Sequence, residues 1–259
     1  MPFVRQLLES GFRAPMLETQ EQLTLNFLNG FDHPRNFVLG CEEDGVLTGV
    51  FSLAAAPEDK YLEIMLALSE NESACTKVLA FLRRHAPGYV LDCVIHPSCM
   101  AMRKAFTEAA GLWYPAQRKL RLGQHRLYPH AHRIVPCDEA HRQAYVAMHE
   151  TDCYWTAERV LAAPERFHAL VALSEERVIG YLDVTKGFAE NEVYDWRVQE
   201  EYRNRGIGTA LLDAAVCLNG QSGLMLLCGE EELPAQKAAH KLGFAEVEGA
   251  ESITGTMTL

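Results

Sequence analysis

Two arginines and two glycines lie close together in the second half of the chain, in the run Arg203-Asn204-Arg205-Gly206-Ile207-Gly208. A strand-like segment ends just before this run at Val198, and an apolar helical pattern follows it. The first turn of a helix has unpaired backbone N–H groups and a partial positive charge, and glycine lets an anion approach that backbone closely. Arginine side chains add positive charge. The combination predicts a phosphate-binding turn.

The spacing of the glycines argues against two common nucleotide sites. A P-loop requires Gly-Lys-Ser/Thr, whereas Gly208 is followed directly by Thr209. A Rossmann turn requires a third glycine at the position of Leu211. Neither pattern is met.

The six-residue run resembles in full the Arg/Gln-x-x-Gly-x-Gly/Ala signature of the GNAT superfamily of acyl-CoA-dependent N-acyltransferases. Downstream, Lys241-Leu242-Gly243-Phe244 resembles the Lys-x-Gly-Phe ending of a later helix in that family. The resemblance covers about residues 133–259 and implies acetyl-CoA as cosubstrate, with no metal. The residues that it implies for cofactor binding are Val198, Arg203, Asn204, Arg205, Gly206, Ile207, Gly208, Thr209 and Ala210.

The resemblance also implies catalytic groups. The central strand of the family separates from its neighbour at a bulge and frees a backbone N–H for the thioester carbonyl, which by position belongs to Val198. Such an amide would stabilise the oxyanion of the tetrahedral intermediate. Because the attacking amine must be neutral, a base is useful, and Glu192 stands where some members carry a carboxylate base. Asp195 is the alternative base, with rival roles as a partner of Arg197 or an anchor for the substrate amine.

One departure from the family concerns the general acid. Members often use a tyrosine four residues before the glycine of Gly-Phe to protonate the departing thiolate, and that position is Ala239 here. His240 and Cys228 are candidate replacements by proximity in sequence. A surface histidine and a buried thiol are the competing interpretations.

Acceptor recognition in the superfamily comes from the first two helices, their connecting loop and the last hairpin. These correspond to residues 138–150, 151–156 and 244–259. Within them, the run Asp152-Cys153-Tyr154-Trp155 predicts an aromatic and acidic wall for a cationic amine, with Asp195 as a further substrate residue. Core packing by Tyr154 and Trp155 is the competing interpretation.

A single plan occurs twice along the chain. Strand-like hairpins at 37–51 and 169–182 carry glycines at matching points, Gly49 and Gly180, which lie 131 positions apart. Each hairpin is followed by a strand, a helix, a strand and a second helix. We therefore expect an α/β (α+β) fold of two tandem GNAT-like domains, each with a mixed, mostly antiparallel central sheet flanked by helices. The polar segment near 123–136 places the boundary between residues 124 and 125, giving domains 1–124 and 125–259.

The first domain lacks the phosphate turn. Shifted back by 131 positions, the turn falls on Glu72-Ser73-Ala74-Cys75-Thr76-Lys77, which has no glycine and has Glu72 in place of Arg203. A carboxylate at a pyrophosphate site is repulsive, so we expect this domain to hold no CoA in the usual way. We therefore expect a structural or regulatory role for the first domain.

The composition of the chain argues against several classes of binding partner. A net charge of −11 at pH 7 repels phosphate backbones, which argues against nucleic acid. The absence of a long apolar run and of paired cysteine motifs predicts a cytoplasmic protein with no membrane partner. We expect a monomer or homodimer. The pair His130 and His132 has no further ligand at metal spacing and is interpreted as linker. The leading function is acetyl transfer to a primary amine of a small molecule or peptide; a non-catalytic acyl-CoA-binding or regulatory module is the alternative.

Overall fold

The computed structural model describes residues 2–15, 17, 35–151, 153–220 and 222–259. The chain divides into two units of similar plan. Unit 1 comprises Met1–Arg118 together with Glu248–Leu259, and unit 2 comprises Lys119–Val247. Each unit has its own sheet and its own buried apolar core.

In unit 1 the described strands form a six-stranded sheet in the order β1-β2-β3-β4-β13-β5. Its pairings are antiparallel except for the parallel pair β3–β4. The strands are β1 (Asn36–Glu43), β2 (Val46–Ala56), β3 (Tyr61–Leu68), β4 (Val90–Ile95), β5 (Leu112–Trp113) and β13 (Ile253–Thr258). The helices are α1 (Pro2–Glu9), α2 (Glu72–His85) and α3 (Met100–Glu108), with a 3₁₀ turn at Pro57–Asp59.

In unit 2 the described strands form a seven-stranded sheet in the order β12-β6-β11-β10-β9-β8-β7. The strands are β6 (Gln117–Leu122), β7 (Arg133–Pro136), β8 (Phe167–Ser174), β9 (Arg177–Thr185), β10 (Glu190–Val198), β11 (Gly223–Gly229) and β12 (Phe244–Glu246). The helices are α4 (Glu139–Met148), α5 (Ala157–Ala162), α6 (Ile207–Asn219) and α7 (Leu233–Leu242), with a 3₁₀ turn at Glu200–Tyr202. Strand β10 pairs antiparallel with β9 and parallel with β11. The mixed, mostly antiparallel sheets flanked by helices confirm the fold class expected from the sequence.

Each sheet contains a strand that the expected domain boundary assigns to the other domain. Strand β6, which begins before residue 119, lies beside β11 and β12 in unit 2, whereas the C-terminal strand β13 lies between β4 and β5 in unit 1. The structural division thus differs from the expected boundary between 124 and 125. Residues 119–124 belong to unit 2, and the last twelve residues, 248–259, belong to unit 1. The last hairpin expected for acceptor recognition is split, because its final strand is part of the other sheet.

The two glycines that match across the halves have the same structural task. A Cβ at Gly180 would lie 3.3 Å from Leu211 of α6, and a Cβ at Gly49 would lie 3.2 Å from Ala74 of α2. In both units glycine therefore lets a helix pack closely onto the second strand of the hairpin. Antiparallel pairing of β1 with β2 and of β8 with β9 confirms the two predicted hairpins.

Among the described residues, no helix is both long and apolar enough to cross a membrane. All eight cysteines are free thiols, and burial raises the pKa of Cys75 to about 12 and of Cys99 to about 11. These thiols are packing groups in the core of unit 1 rather than nucleophiles.

Candidate active site

The predicted phosphate turn connects β10 to α6 through the 3₁₀ turn. Gly206 precedes the helix with φ +80°, a left-handed conformation that favours glycine, and Asn204 has φ +61°. The first bond that closes a helical turn runs from the Ala210 N–H to the Gly206 carbonyl at 3.0 Å. The N–H groups of residues 207–209 precede it and are the donors that a helix start leaves open. The geometry is therefore that of an anion site.

A segment predicted to be linker lies against this turn. A Cβ on Gly206 would be 2.5 Å from the hydroxyl oxygen of Tyr128, so this hydroxyl occupies the space beside the glycine. The Nε2 atom of His132 lies 2.9 Å from the carbonyl oxygen of Arg205 and donates to it. Deeper along α6, Asp213 accepts hydrogen bonds from His125 and from the backbone N–H of Tyr128. The segment 125–132 is thus fixed to α6 by specific contacts.

Next to the turn, β10 and β11 separate. Their parallel pairing extends only from Glu190 to Val193, whereas β10 continues to Val198 beside β9. The N–H of Gln199 donates to Ile179 of β9 at 2.9 Å, and backbone groups alternate in direction along an antiparallel pair. The N–H of Val198 therefore faces away from β9, toward the side where β11 has diverged.

The same strand carries a bulge. The register of β10 on β9 shifts between Val193 and Asp195, so Tyr194 is the extra residue. Tyr194 contacts Phe167, with ring centroids 6.0 Å apart, and Asp195 accepts from the Tyr181 hydroxyl at 2.5 Å. Because of the bulge, the consecutive side chains of Tyr194 and Asp195 both point to the face of the sheet that α4 and α5 cover.

Beneath Asp195 lies a buried polar cluster that joins α4 to β9 and β10. The Nε2 of His149 is 2.9 Å from Oδ2 of Asp183 and 3.6 Å from Oδ2 of Asp195. Tyr145 donates to the same Asp183 oxygen at 2.8 Å. The side chains of His149 and Asp183 are 1% and 0% exposed, whereas Asp195 is 22% exposed. Asp195 is thus the member of the cluster that solvent or a ligand reaches.

The protonation of this cluster follows from its contacts. Burial lowers the pKa of His149, but the hydrogen bonds to Asp183 and to the Glu150 carbonyl outweigh it and raise that pKa overall. Burial raises the pKa of the Asp183 carboxyl, against the lowering effect of the hydrogen bonds from His149 and Tyr145. Burial also raises the pKa of the Tyr145 and Tyr181 hydroxyls, which remain neutral donors. The His149–Asp183 pair therefore holds its shared proton firmly.

Part of unit 2 also matches a known protein family. Residues 134–244 match the model of the acetyltransferase (GNAT) family. This range includes the phosphate turn, the separated strands and the buried cluster. Residues 134–244 are a GNAT acetyltransferase domain.

Solved structures support the fold over nearly the whole chain. A tandem GNAT protein from the clavulanic acid biosynthesis pathway is similar with a TM-score of 0.55 at 14% identity, over 98% of this chain and 92% of its own. A GCN5-related N-acetyltransferase from Kribbella flavida has a TM-score of 0.58 at 12% identity, over 93% and 96%. One from Sphaerobacter thermophilus has 0.59 at 11%, over 93% and 86%. Comparison with curated protein sequences finds no match.

The GNAT domain brings some predicted site residues together and separates others. Val198, residues 203–210 and Asp195 lie along one continuous path from β10 into α6. Glu192 lies before the bulge, where β10 is still paired with Met225 of β11, and its N–H donates to the Thr185 hydroxyl. Glu192 thus lies one residue before the end of the β10–β11 pairing, and Asp195 lies two residues beyond it.

The predicted aromatic wall is packed with the domain's own groups. Trp155 contacts Tyr154 and Phe167, with ring centroids 5.4 Å and 4.9 Å away. The guanidinium of Arg159 lies 4.4 Å above Tyr154, and that of Arg166 lies 4.7 Å above Trp155. The chain's own cations thus occupy one face of each of the two rings that were predicted to receive a cationic amine. Asp152 lies outside the described residues.

Ala239, at the position of the family tyrosine, and the candidate replacements His240 and Cys228 all lie in unit 2. Ala239 is fully buried in the apolar core of unit 2, where a hydroxyl is absent. His240 has its Nδ1 atom 3.0 Å from the Phe244 carbonyl, to which it donates, and Cys228 is 1% exposed in the same core. Ala239 and the buried Cys228 are therefore poorly placed to protonate the departing sulfur, and His240 keeps its Nε2 atom outside this hydrogen bond.

In unit 1 the corresponding helix start is filled by its own side chains. The Asn71 side chain accepts from the Ala74 N–H at 3.0 Å and caps α2. The Glu43 carboxylate accepts from Ser73 at 2.7 Å and from Lys77 at 2.5 Å, and the hydrogen bond from Lys77 holds the pKa of Glu43 below its usual value. A carboxylate of the chain thus stands at this helix start, close to the position that an external anion would take.

Sequence reasoning missed His149, Asp183, Tyr145 and Tyr181. They come from one helix and from the strand next to β10, far apart in the sequence, and no spacing rule connects them. The available signal was Asp183 itself, a carboxylate inside the apolar run Val178–Val184. A charged residue in such a run needs a buried partner.

Proposed function

We propose that unit 2 transfers an acetyl group from acetyl-CoA to a primary amine by direct attack in a ternary complex. The observation that carries the proposal is the separation of β10 from β11 beside an open helix start. The strand separation leaves the Val198 N–H as a hydrogen-bond donor in the gap between β10 and β11. The helix start supplies N–H donors for an anion. Asp195 lies at the bulge of β10, on the face of the sheet that α4 and α5 cover.

The residues around the turn fit a pyrophosphate. Gly206 adopts a conformation that L side chains rarely adopt, and a Cβ on Gly208 would lie 3.1 Å from the Trp196 ring. Glycine at these two positions leaves no Cβ to crowd the backbone N–H groups of the helix start, where an anion must approach closely. Residues 207–209 would bind the pyrophosphate through their N–H groups, with Arg203 and Arg205 adding charge.

The reaction needs few groups from the protein. The amine nitrogen forms a bond to the thioester carbonyl carbon, and the developing oxyanion accepts a hydrogen bond from the Val198 N–H. The carbon–sulfur bond then breaks, its electron pair goes to sulfur, and a proton from the attacking nitrogen gives the free CoA thiol. This route needs no hydroxyl at Ala239, because the nitrogen supplies the proton.

The acceptor is a cationic primary amine of a small molecule or peptide. The carboxylate of Asp195 is held by the Tyr181 hydroxyl and by the N–H of Trp196 at 2.7 Å, so it has a fixed position. An ammonium group pairs well with such a carboxylate. The net charge of −11 favours approach of a cation.

The first experiment is calorimetric titration of the purified chain with acetyl-CoA. We expect one binding site per chain. Gly206→Glu should abolish binding and Arg205→Glu, at an exposed residue, should weaken it, because both substitutions add negative charge at the helix start. Asn71→Ala changes the corresponding helix start of unit 1 and should leave affinity unaltered. Binding at two sites would show that unit 1 also binds acetyl-CoA, whereas affinity that Gly206→Glu leaves intact in folded protein would refute the cofactor assignment.

The second experiment tests catalysis by following CoA thiol release with tyramine, putrescine and a lysine-containing peptide. Release with the small amines supports a small-molecule acceptor, and release with the peptide alone supports protein acetylation. The burial of Ala239 in an apolar core favours one alternative, a non-catalytic acyl-CoA-binding module. Acetyl-CoA binding without any thiol release would favour that alternative.

A further inference from the structure

His149 lies between two carboxylates that come from different strands. Its Nε2 atom approaches Asp183 on β9 and Asp195 on β10, and its Nδ1 atom is 2.8 Å from the Glu150 carbonyl oxygen. The imidazole ring stacks on the Tyr181 ring with centroids 5.0 Å apart. The ring is thus held from both edges and from one face.

The partners of the ring define its protonation. A carbonyl oxygen only accepts, so Nδ1 carries a hydrogen, and the Asp183 and Asp195 oxygens on the other edge favour a hydrogen on Nε2. The ring is then an imidazolium. Oδ1 of Asp183 has no hydrogen-bond partner among the described residues, which makes this buried carboxylate depend on the imidazolium for its stabilisation.

We propose that His149 is a positioning residue, which, as an imidazolium shared by Asp183 and Asp195, holds the Asp195 carboxylate at the bulge of β10, where that carboxylate takes the proton of the acceptor ammonium. This inference rests on the proposed acyl transfer and adds to it the identity of the base and its support. Asp195 contacts the substrate; His149 and Asp183 act through it.

The proton balance is complete. The acceptor enters as R–NH₃⁺ and gives one proton to Asp195, which leaves a lone pair on nitrogen. Nitrogen attacks the carbonyl carbon, and a second N–H proton accompanies the leaving sulfur as CoA–SH. Asp195 then releases its proton to water. The sum is R–NH₃⁺ plus acetyl-CoA giving R–NH–CO–CH₃, CoA–SH and H⁺.

Loss of the imidazolium proton should disturb this arrangement. Without it, the carboxylates of Asp183 and Asp195 face a neutral ring and repel each other, so Asp195 turns away from its position. Several titratable and charged groups surround His149. Tyr145 of α4 and Glu150, just after that helix, lie on one side, and Tyr181 and Asp183 come from β9. Asp195 comes from β10, Arg197 pairs with Glu150, and Glu158 comes from α5.

The test measures kcat, KM and their pH dependence for the amine that gives the fastest thiol release. Asp195→Asn should lower kcat/KM by about 100-fold or more. His149→Gln should lower it by about tenfold and remove the alkaline limb of the pH profile, because the glutamine cannot titrate. His168→Gln is the matched control, since that imidazole on β8 lies outside the cluster. Acetyl-CoA affinity should be the same in all four proteins.

A second readout does not depend on turnover. The ¹⁵N chemical shifts of the His149 ring should show both nitrogens protonated at neutral pH in the native chain, and loss of that form at lower pH in Asp183→Asn. A neutral His149 ring at pH 7 would overturn the inference. So would a His149→Gln enzyme with the native pH profile.

The outcomes separate the two proposals. If the native chain binds acetyl-CoA and acetylates amines while Asp195→Asn retains native kcat/KM, the acyl transfer stands and this inference fails. If the native chain neither binds acetyl-CoA nor releases thiol, both fail. Far-ultraviolet circular dichroism checks that each variant is folded before its kinetics are compared.

Discussion

At the scale of single residues, Gly206 is constrained in two independent ways. Its backbone has φ +80°, and the Tyr128 hydroxyl fills the space that a side chain would take. The two constraints have different origins, because the first is intrinsic to L-amino acids and the second depends on a neighbour. A pair of substitutions can therefore separate them.

Gly206→Ala should destabilise unit 2 by about 1–3 kcal/mol and weaken acetyl-CoA binding, since strain and the clash with Tyr128 both disturb the turn. Gly206→Ala combined with Tyr128→Phe removes the hydroxyl oxygen but keeps the backbone strain. We expect that double variant to recover part of the stability, measured by urea unfolding. Equal stability of Gly206→Ala and the native chain would contradict the strained conformation.

The raised pKa of His149 predicts a dependence of stability on pH. The folded state holds the imidazolium proton to a higher pH than the unfolded chain, whose histidines titrate at about 6.5. The stabilisation is complete below that value and is lost as pH rises through the folded pKa. The free energy of unfolding of unit 2 should therefore fall above pH 6.5, by about 1.4 kcal/mol for each unit of pKa shift.

Urea unfolding at a series of pH values checks this dependence, in a Trp113→Phe background so that only Trp155 and Trp196 of unit 2 report. His149→Gln should flatten the decline above pH 6.5. His168→Gln should not, because burial lowers the pKa of His168 and its titration affects stability only at lower pH. A decline of the same size in His149→Gln would mean that other groups cause it.

At the scale of elements, local patterns predicted the pieces that position the phosphate turn. Strand β10, helix α6 and both hairpins follow from apolar periodicity and turn residues, and the motif at 203–208 located the helix start. The cluster around His149 could not be predicted, because its members meet only through the pairing of β9 with β10 and the packing of α4. The bulge at Tyr194 decides that Asp195 faces this cluster, and a one-residue register shift leaves no mark in periodicity.

The glycines under the helices offer a matched test of element packing. A Cβ at Gly180 would lie 2.9 Å from the Arg197 carbonyl oxygen, which is backbone, whereas at Gly49 the closest atom is Cε2 of the Phe51 ring, also at 2.9 Å. A side chain can move further than a paired strand. We therefore expect Gly180→Ala to cost about 1–3 kcal/mol of stability and Gly49→Ala to cost less.

Thermal unfolding of both variants measures this difference. Gly180→Ala should also weaken acetyl-CoA binding, because Arg197 and Val198 belong to the part of β10 that leads into the phosphate turn. Gly49→Ala lies in unit 1 and should leave that affinity unchanged. If Gly49→Ala were the more destabilised protein, the backbone contact at Gly180 would not be the controlling one.

At the scale of the whole molecule, each unit contains a strand that the expected boundary between 124 and 125 assigns to the other domain. Strand β6 is held in unit 2 partly by charge, since Glu190 accepts from Lys119 at 2.8 Å and pairs with Arg121. Strand β13 is held in unit 1 by pairing with β4 and by burial of Ile253 and Met257. A sequence reading that assigns continuous segments to domains could not show this exchange, because repeats reveal similar elements and not their pairing.

The exchange predicts that a chain ending at Val247 loses the order of unit 1 while unit 2 remains folded. Without β13, β4 loses one of its two neighbours along residues 90–95 and keeps only β3, and Ile253 and Met257 leave the core, each worth about 1.5–3 kcal/mol of burial. Trp113 packs against Gly255 and lies in unit 1, so its emission should shift to the red. A full-length Trp113→Phe chain assigns that signal among the three tryptophans. Acetyl-CoA affinity should persist, because the shortened chain keeps every described strand of the unit 2 sheet; unchanged Trp113 emission in the shortened chain would show that β13 is dispensable.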